Sequence, residues 1–317
     1  MRPPYDPELA AALDELTAGK LPLRSFDDIP LRREAGAADV RTPAELRAEF
    51  PGFAFTERFA TGPAGEVPLL VVRPERPSGA ALYYMHGGGM MLGHHLGADI
   101  VRLLSWAAEL NLVIVSPGYR LAPEHPHPAP VEDTYAGLLW TVEHAGELGF
   151  EPDRLAIGGV SAGGGLAATT ALLARDRGGP ALAAQLLICP MLDDRNDSAS
   201  ARQFDDGNGL WDRLANAVGW AALLGDDRTD VSPYAAAARA TDLSGLPPAF
   251  LDVGSAEVFR DEVIEYANRL WQAGGDAELH VWPGGFHGFD AQVPGAALSR
   301  LAKKARQPWL RRVLSLP

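Results

Sequence analysis

Cysteine is almost absent from this sequence of 317 residues. Its one cysteine, Cys189, cannot form an internal disulfide, and the chain shows no cysteine–histidine spacing typical of a zinc site. Cys189 lies in the apolar run "AQLLICPML", so we expect a buried thiol that packs in the core.

Long apolar runs are missing too. No stretch approaches the length of a transmembrane helix, and the opening residues "MRPPYDPELAAALDEL" contain no apolar signal segment. We therefore expect a cytoplasmic protein that does not associate with membranes.

Positive charge is scarce. Lysine and arginine number 28 against 41 aspartates and glutamates, which gives a net charge of −13. Proteins that bind nucleic acids or anionic membranes usually present a basic face, so this balance argues against both partners. The charge balance says nothing direct about the substrate.

Hydrophobic residues make up 47% of the chain, enough for a sizeable core in one large domain. Eight runs have the length and composition of strands, and the later ones alternate with helical segments. This alternation predicts an α/β fold with a mostly parallel sheet and helices on both faces. The eight runs are "FAFTERFA", "VPLLVVRP", "GAALYYMH", "LVIVSPGYR", "RLAIGGVS", "AQLLICPML", "PPAFLDVG" and "AELHVWPG".

Two segments do not follow the alternation of strands and helices. One is a helical pattern near residues 5–20, and the other is an aromatic-rich helical pattern near residues 200–225. We expect one domain, residues 1–317, in which segments 1–45 and 198–228 form a small helical cap.

The stretch "LAIGGVSAGGG" places a serine between glycines, directly after a predicted strand and before a predicted helix. Gly159, Ser161 and Gly163 form the pattern G-x-S-x-G, which in this setting is typical of a nucleophile on a strained turn. A side chain at either glycine would collide with the facing helix and strand. The alternative is a flexible loop with an unreactive serine. The strand before Ser161 and the helix after it favour a nucleophile.

A nucleophilic serine needs a base. His287 lies in "PGGFHGF", a glycine-flanked loop that follows the last predicted strand, from which it could reach Ser161. His280 lies inside that strand and is expected to pack. A loop histidine without chemical function is the alternative for His287, and the presence of Ser161 favours the role of base.

The base in turn needs an acid to orient it. Glu257 follows the seventh predicted strand and is our candidate. Asp261 and Glu262 are expected to begin the next helix, where acidic residues favour the N-terminal dipole, and Asp252 lies within the strand. The chain order serine, acid, histidine is that of the α/β hydrolases.

A run of three glycines follows the third predicted strand in "HGGG", residues 86–89. Glycines allow backbone N–H groups to approach a ligand closely, so we expect the amides of this glycine run, with that of Ala162, to bind an oxyanion. A phosphate-binding loop is the alternative. No lysine, serine or threonine follows the glycines, and this disfavours it.

Five motifs together resemble those of the hormone-sensitive-lipase-like family of esterases: "HGGG", "YRLAPEHPHPAPVED", "GVSAGG", "GSAEVFRDE" and "FHGF". The resemblance covers the chain from about residue 50 to its end. It implies an α/β-hydrolase fold and a carboxylesterase with no metal and no organic cofactor. Ser161 matches the nucleophile, His287 the base and Glu257 the acid.

The resemblance also implies supporting roles. Gly87, Gly88 and Ala162 match the oxyanion-binding positions, and His86 matches a residue that supports their loop. Arg120 and Glu124 are expected to pair beneath the site. The chain departs from much of the family at Val160, where aspartate or threonine is common, and at Glu257, where many members have aspartate.

The substrate is predicted less sharply. Short- to medium-chain acyl esters are expected, and lactones, carbamates, terpenoid esters and, less favoured, binding without catalysis remain as alternatives. The bulky side chains of Met90, Met91 and Trp211 are expected to line the substrate pocket, with cap packing as the alternative for Trp211. The family also implies a homodimer formed through the edge of the sheet.

Overall fold

A computed structural model describes residues 1–19, 21, 23–205 and 209–316 of the chain. Eight strands are present, as the sequence predicts. Their bounds are β1 Phe53–Gly62, β2 Gly65–Pro74, β3 Gly79–Met85, β4 Val113–Pro117, β5 Phe150–Val160, β6 Ala184–Ile188, β7 Ala249–Gly254 and β8 Ala277–Trp282.

Twelve α-helices lie within the described residues. Their bounds are α1 Pro7–Thr17, α2 Asp28–Ala37, α3 Pro43–Glu49, α4 Ile100–Leu110, α5 Ala129–Glu143, α6 Ala145–Leu148, α7 Ala162–Asp176, α8 Ala199–Gln203, α9 Arg213–Leu224, α10 Arg260–Gln272, α11 Phe289–Gln292 and α12 Ala297–Val313.

The eight strands form a single sheet in the order β1-β2-β4-β3-β5-β6-β7-β8. The pairs β1–β2 and β2–β4 are antiparallel, and every pair from β4 to β8 is parallel. The prediction of a mostly parallel sheet is therefore confirmed. Since the carboxyl ends of parallel strands meet at one edge, the loops after β3, β5, β7 and β8 come together there.

Two adjacent tyrosines in β3 show that helices cover both faces of the sheet. Successive side chains of a strand point to opposite faces. The Tyr83 hydroxyl donates a hydrogen bond of 2.8 Å to the Thr134 carbonyl in α5. The Tyr84 hydroxyl accepts one of 3.2 Å from Arg102 in α4. Helix α7 packs with α5, and α12 packs with α4, so the predicted helix layers are confirmed.

The N-terminal helices pack in three different places. Leu9 and Leu13 of α1 join a buried cluster with Phe286 and Phe289, which follow β8. Helix α3 packs against β1. Residue Arg24, before α2, forms an ion pair of 2.8 Å with Asp212 at the start of α9.

Both segments predicted to form a cap contain helices, α1 and α2 in the first and α8 and α9 in the second, and their role as a cap stays a prediction. Residues 20, 22 and 206–208 of these segments lie outside the described residues. Within the described part of the chain, no helix has the length and apolar character needed to span a membrane.

Candidate active site

Ser161 lies on the sharp turn between β5 and α7. Its backbone has φ 56° and ψ −121°, a region that residues with a Cβ rarely adopt. Three hydrogen bonds hold it there: its N–H donates to the Ile188 carbonyl at 2.8 Å, and its own carbonyl accepts from the N–H groups of Gly165 and Met191, both at 3.0 Å. The surrounding structure therefore imposes this backbone conformation and leaves the hydroxyl at the helix N-terminus.

The glycines that flank Ser161 are required by close backbone packing. A Cβ on Gly159 would collide with the main chain of Gly163, and a Cβ on Gly163 would collide with the carbonyl oxygens of Met85 and His86. The collisions expected from the sequence are therefore present, with the helix in one case and the end of β3 in the other.

The structure brings Ser161, His287 and Glu257 into one hydrogen-bonded chain. The His287 Nε2 atom lies 3.0 Å from the Ser161 Oγ atom, and its Nδ1 atom lies 2.6 Å from the Glu257 Oε2 atom. Ser161 and Glu257 are buried, and the His287 side chain is 12% exposed. This is the geometry of a hydroxyl, a base and an acid that orients the base.

The loops that carry His287 and Glu257 are tied to each other. The Ser255 N–H donates to the Trp282 carbonyl at 2.8 Å, and the Ala256 N–H donates to the Gly285 carbonyl at 3.0 Å. The distance between acid and base is therefore set by main-chain bonds on both sides.

A buried cluster of three charged residues joins the elements next to these two loops. The Arg306 guanidinium of α12 binds Asp252 in β7 at 2.6 Å and Asp290, which follows the His287 loop, at 2.5 Å. Burial opposes ionisation of Asp290, but the positive charges of Arg306 and Arg102 outweigh it, and the pKa of Asp290 lies below its usual value.

The other acids considered from the sequence have different partners. The Asp261 carboxylate accepts from the Ser200 N–H at 2.7 Å, and Glu262 accepts from the Leu192 N–H at 2.7 Å. Asp252 is held by Arg306. Only Glu257, among these four, contacts His287.

Cys189 is buried beside the same site. One ligand atom from each of Cys189, Glu257 and His287 lies within 4.8 Å of the others, a grouping that resembles a metal site. Burial and the negative charge of Glu257 raise the pKa of the Cys189 thiol well above its usual value, so the thiol stays protonated and is a poor ligand. Both nitrogens of His287 already have partners. The arrangement suits proton transfer.

The glycine loop after β3 corrects one expectation from the sequence. The Gly87 N–H donates to the Asp99 carboxylate at 3.2 Å, so it is not free to bind an oxyanion. Gly88 and Gly89 have φ values of 125° and 61°, and their N–H groups have no hydrogen-bond partner among the described residues. Gly89 therefore replaces Gly87 in the candidate set, beside Gly88 and Ala162.

Glycine is needed at position 87 for a different reason. A Cβ there would lie 3.1 Å from the Val160 carbonyl and 3.5 Å from the Ser161 Cβ atom. The loop thus runs directly against the serine, and Asp99, which the sequence did not single out, anchors it.

His86 supports this loop, as the resemblance implied. Its Nδ1 atom lies 2.8 Å from the Gly87 carbonyl, and its ring stacks on Tyr119 with 4.3 Å between centroids. The Tyr119 hydroxyl donates to the His86 carbonyl at 2.8 Å. Burial lowers the pKa of His86 to about 4. The imidazole is therefore neutral, and its contacts with Gly87 and Tyr119 hold the glycine loop in position.

The three expected pocket residues lie in different surroundings. The Trp211 ring is 6.5 Å from the His287 ring and covers Gly89. Trp211 also lines a crevice of about 110 Å³ between the N-terminal segment and residues 209–215. Met90 and Met91 are buried in the main core cluster, and their role in a pocket stays a prediction.

The expected pairing of Arg120 with Glu124 is wrong. Arg120 binds Asp133 through its Nε and a terminal nitrogen at 2.8 and 2.7 Å. Glu124 instead binds Arg33 of α2 at 2.7 and 2.9 Å. Arg33 also donates to the Met91 carbonyl at 2.9 Å, so it joins α2 to the segment that follows the glycine loop.

This combination of fold and site defines an α/β hydrolase. A family profile described as alpha/beta hydrolase fold matches residues 82–291. The chain belongs to this family, and the resemblance stated from its motifs is confirmed.

Curated relatives cover nearly the whole chain. It is 36% identical over 311 residues to carboxylesterase NlhH of Mycobacterium tuberculosis, with 93% of each chain covered. It is 30% identical over 300 residues to ethyl acetate hydrolase of Pseudomonas putida, with 90% of this chain and 91% of that one covered.

Solved structures agree with the fold. A bacterial heroin esterase superposes with a TM-score of 0.88 at 41% identity, with 98% of each chain covered. Esterase LipW of Mycobacterium marinum superposes with a TM-score of 0.87 at 34% identity, again with 98% of each chain covered.

Proposed function

We propose that this protein is a carboxylesterase that hydrolyses esters with short- to medium-chain acyl groups through Ser161, His287 and Glu257. The observation that carries the proposal is the hydrogen-bonded chain from Ser161 Oγ through His287 to Glu257. The names of the relatives support it, since they are carboxylesterases and an acetate-ester hydrolase.

The first half of the reaction transfers the acyl group to the serine. His287 Nε2 accepts the Ser161 hydroxyl proton while Oγ attacks the ester carbonyl carbon. The carbonyl oxygen becomes negative, and the N–H groups of Gly88, Gly89 and Ala162 stabilise it. Each such donor lowers the barrier by about 3 kcal/mol. When the tetrahedral intermediate collapses, the alcohol leaves with the proton from Nε2.

The second half releases the acid. A water molecule gives a proton to His287 Nε2 and attacks the acyl-enzyme carbonyl, and the same amides stabilise the negative oxygen. Collapse breaks the bond to Ser161 Oγ, which regains the proton, and the carboxylic acid departs. The Glu257 carboxylate stabilises the imidazolium in both halves.

The position of Trp211 gives a structural reason to propose a preference for shorter acyl chains. The Trp211 ring lies against Gly89 and 6.5 Å from the His287 ring, and it narrows the space beside them. We therefore expect the Trp211 ring to limit the length of the acyl chain.

Rates of hydrolysis of p-nitrophenyl esters from acetate to palmitate test the proposal. We expect rapid turnover of the short esters, loss of turnover in Ser161→Ala, and no change in Ser244→Ala, which alters an exposed serine outside the site. Equal turnover in the wild type and Ser161→Ala would overturn the assignment.

Two further parts of the proposal concern architecture. Segments 1–45 and 198–228 act as a cap on a single domain of residues 1–317, which is supported by the bonds from Arg24 to Asp212 and from Arg33 to Met91. Strand β8 pairs with β7 on one side and is an edge strand of the sheet, and we propose, as the family resemblance implies, a homodimer through that edge.

A further inference from the structure

A second cleft lies on the face of the sheet covered by α4 and α12, away from the crevice beside Trp211. Its volume is about 510 Å³, within the range of small-molecule sites. Its walls come from α4 and the two residues before it, from α11 and the nearby Pro294, and from α12. None of its lining residues belongs to the proposed oxyanion hole or to Ser161, His287 and Glu257.

The cleft concentrates positive charge in a chain whose net charge is −13. Arg300, Lys303 and Lys304 of α12 line it, and two of the chain's three lysines are among them. Within the described part of the chain, neither lysine forms an ion pair or a hydrogen bond. Burial lowers the pKa of Lys303; the negative charge of Asp290 opposes this shift, and the positive charges of Arg102 and Arg306 add to it.

The other lining residues are mixed in character. Val101 is a hydrophobic side chain that stays 57% exposed, and Ala291 and Pro294 add apolar surface, while Glu109 contributes a carboxylate that the cations of α12 outnumber. Unpaired cations beside exposed apolar surface suit a ligand with one anionic group and a short hydrocarbon tail.

One residue connects the cleft to the loop beside Ser161. Asp99 lines the cleft, and its carboxylate accepts from the Gly87 N–H at 3.2 Å. The same carboxylate lies 4.0 Å from the Arg102 guanidinium. An anion bound near Arg102 competes with Asp99 for that positive charge, and Asp99 in turn holds the glycine loop.

We propose that this cleft binds a small organic carboxylate and that occupancy slows ester hydrolysis through Asp99 and the glycine loop. The ligand is of the chemical class that ester hydrolysis releases. Binding stands on the cleft alone, whereas the effect on rate rests on the proposed function.

Calorimetric titration with hexanoate tests the binding. We expect saturable binding to the wild type that is weakened roughly tenfold in Lys303→Gln, since a hydrogen bond to a charged group is lost. Arg312→Gln is the matched control, because Arg312 lies on the same helix but pairs with Glu278 outside the cleft. Val101→Glu, an exposed change that adds negative charge to the wall, should abolish binding. Acetate should bind more weakly than hexanoate.

Kinetics of p-nitrophenyl acetate hydrolysis test the coupling. We expect hexanoate to lower kcat in the wild type and in Arg312→Gln, and to have little effect in Lys303→Gln. Inhibition that only raises KM and is equal in all three proteins places hexanoate at Ser161 and overturns the inference. Absence of any hydrolysis would refute the proposed function, while the calorimetric comparison would still decide whether the cleft binds. Equal hexanoate affinity in the wild type and Lys303→Gln would rule the site out.

Discussion

Gly163, in the first turn of α7, lies directly against the main-chain carbonyl oxygen of Met85 at the end of β3. This contact sets the start of α7 beside the glycine loop that follows β3. We propose that this contact brings the Ala162 amide and the Gly88 and Gly89 amides to the same side of Ser161. The proposed oxyanion hole thus depends on a position where no side chain fits.

Gly163→Ala should therefore damage both stability and activity. The added methyl group meets backbone atoms that cannot rotate away, and we expect a loss of about 3 kcal/mol in the free energy of unfolding. Gly146→Ala is the control, since a Cβ at this helical glycine meets nothing within 4 Å and should be neutral or slightly stabilising. Urea denaturation measures both. Equal stability of the two variants would refute the packing argument.

Glu257→Gln should reduce kcat by about 10³- to 10⁴-fold on short p-nitrophenyl esters, because the neutral amide no longer stabilises the imidazolium or its tautomer. The fold should persist, since the side chain keeps its size. Glu257→Asp keeps the charge on a shorter stem and should retain much more activity than Glu257→Gln. If both variants lose the same fraction of kcat, the negative charge at position 257 does not contribute to catalysis.

Much of this site could be predicted from the sequence because its parts are local. The G-x-S-x-G turn and the glycine-flanked loop of His287 each follow a strand, and the strands themselves are apolar runs. Once the sheet is parallel, its geometry brings these loops together. Glu257 could be chosen over Asp261 and Glu262 because those two residues were predicted to lie in the first turn of a helix. Acidic side chains are common there, since they interact favourably with the helix dipole.

Other parts depend on tertiary packing that the sequence does not encode locally. Arg120 was expected to bind Glu124, but it forms an ion pair with Asp133 on α5. Glu124 instead forms an ion pair with Arg33 from the N-terminal segment. The three glycines of "HGGG" look alike in the sequence. The bond from Gly87 to Asp99 is what distinguishes them.

Stability should fall as the pH drops below about 6.5, because two buried histidines stay neutral in the fold. Burial lowers the pKa of His86 to about 4 and that of His95 to about 3, against an ordinary value of 6.5. The unfolded chain takes up protons first, so stability is present above pH 6.5 and is lost as the pH falls toward 4. Each histidine contributes about 1 kcal/mol of this loss between pH 7 and 5.5.

His95→Gln provides the check on this pH dependence. The variant removes one of the two titrating groups, so its loss of stability between pH 7 and 5.5 should be smaller than that of the wild type by about 1 kcal/mol. Urea midpoints at the two pH values give the comparison. If the variant and the wild type lose the same stability between pH 7 and 5.5, His95 is protonated in the folded protein.

Trp211→Ala should move the preference toward longer acyl chains. Removing the ring opens the space between Gly89, His287 and the adjacent crevice. We expect kcat/KM for p-nitrophenyl octanoate, divided by kcat/KM for p-nitrophenyl butyrate, to rise about tenfold. One methylene group in a hydrophobic pocket changes the free energy of transition-state binding by roughly 1–3 kcal/mol. Trp271→Ala, at an exposed tryptophan of α10, should leave the ratio unchanged. A shift of equal size in both would exclude a pocket role for Trp211.

The central claim is that Ser161 carries the acyl group during turnover. The most direct measurement is mass spectrometry of the protein quenched early in its reaction with p-nitrophenyl acetate, followed by peptide mapping. We expect an acetyl group on the peptide that contains Ser161, and none in Ser161→Ala. An acetyl group on another residue, with Ser161 unmodified while ester is being hydrolysed, would contradict it.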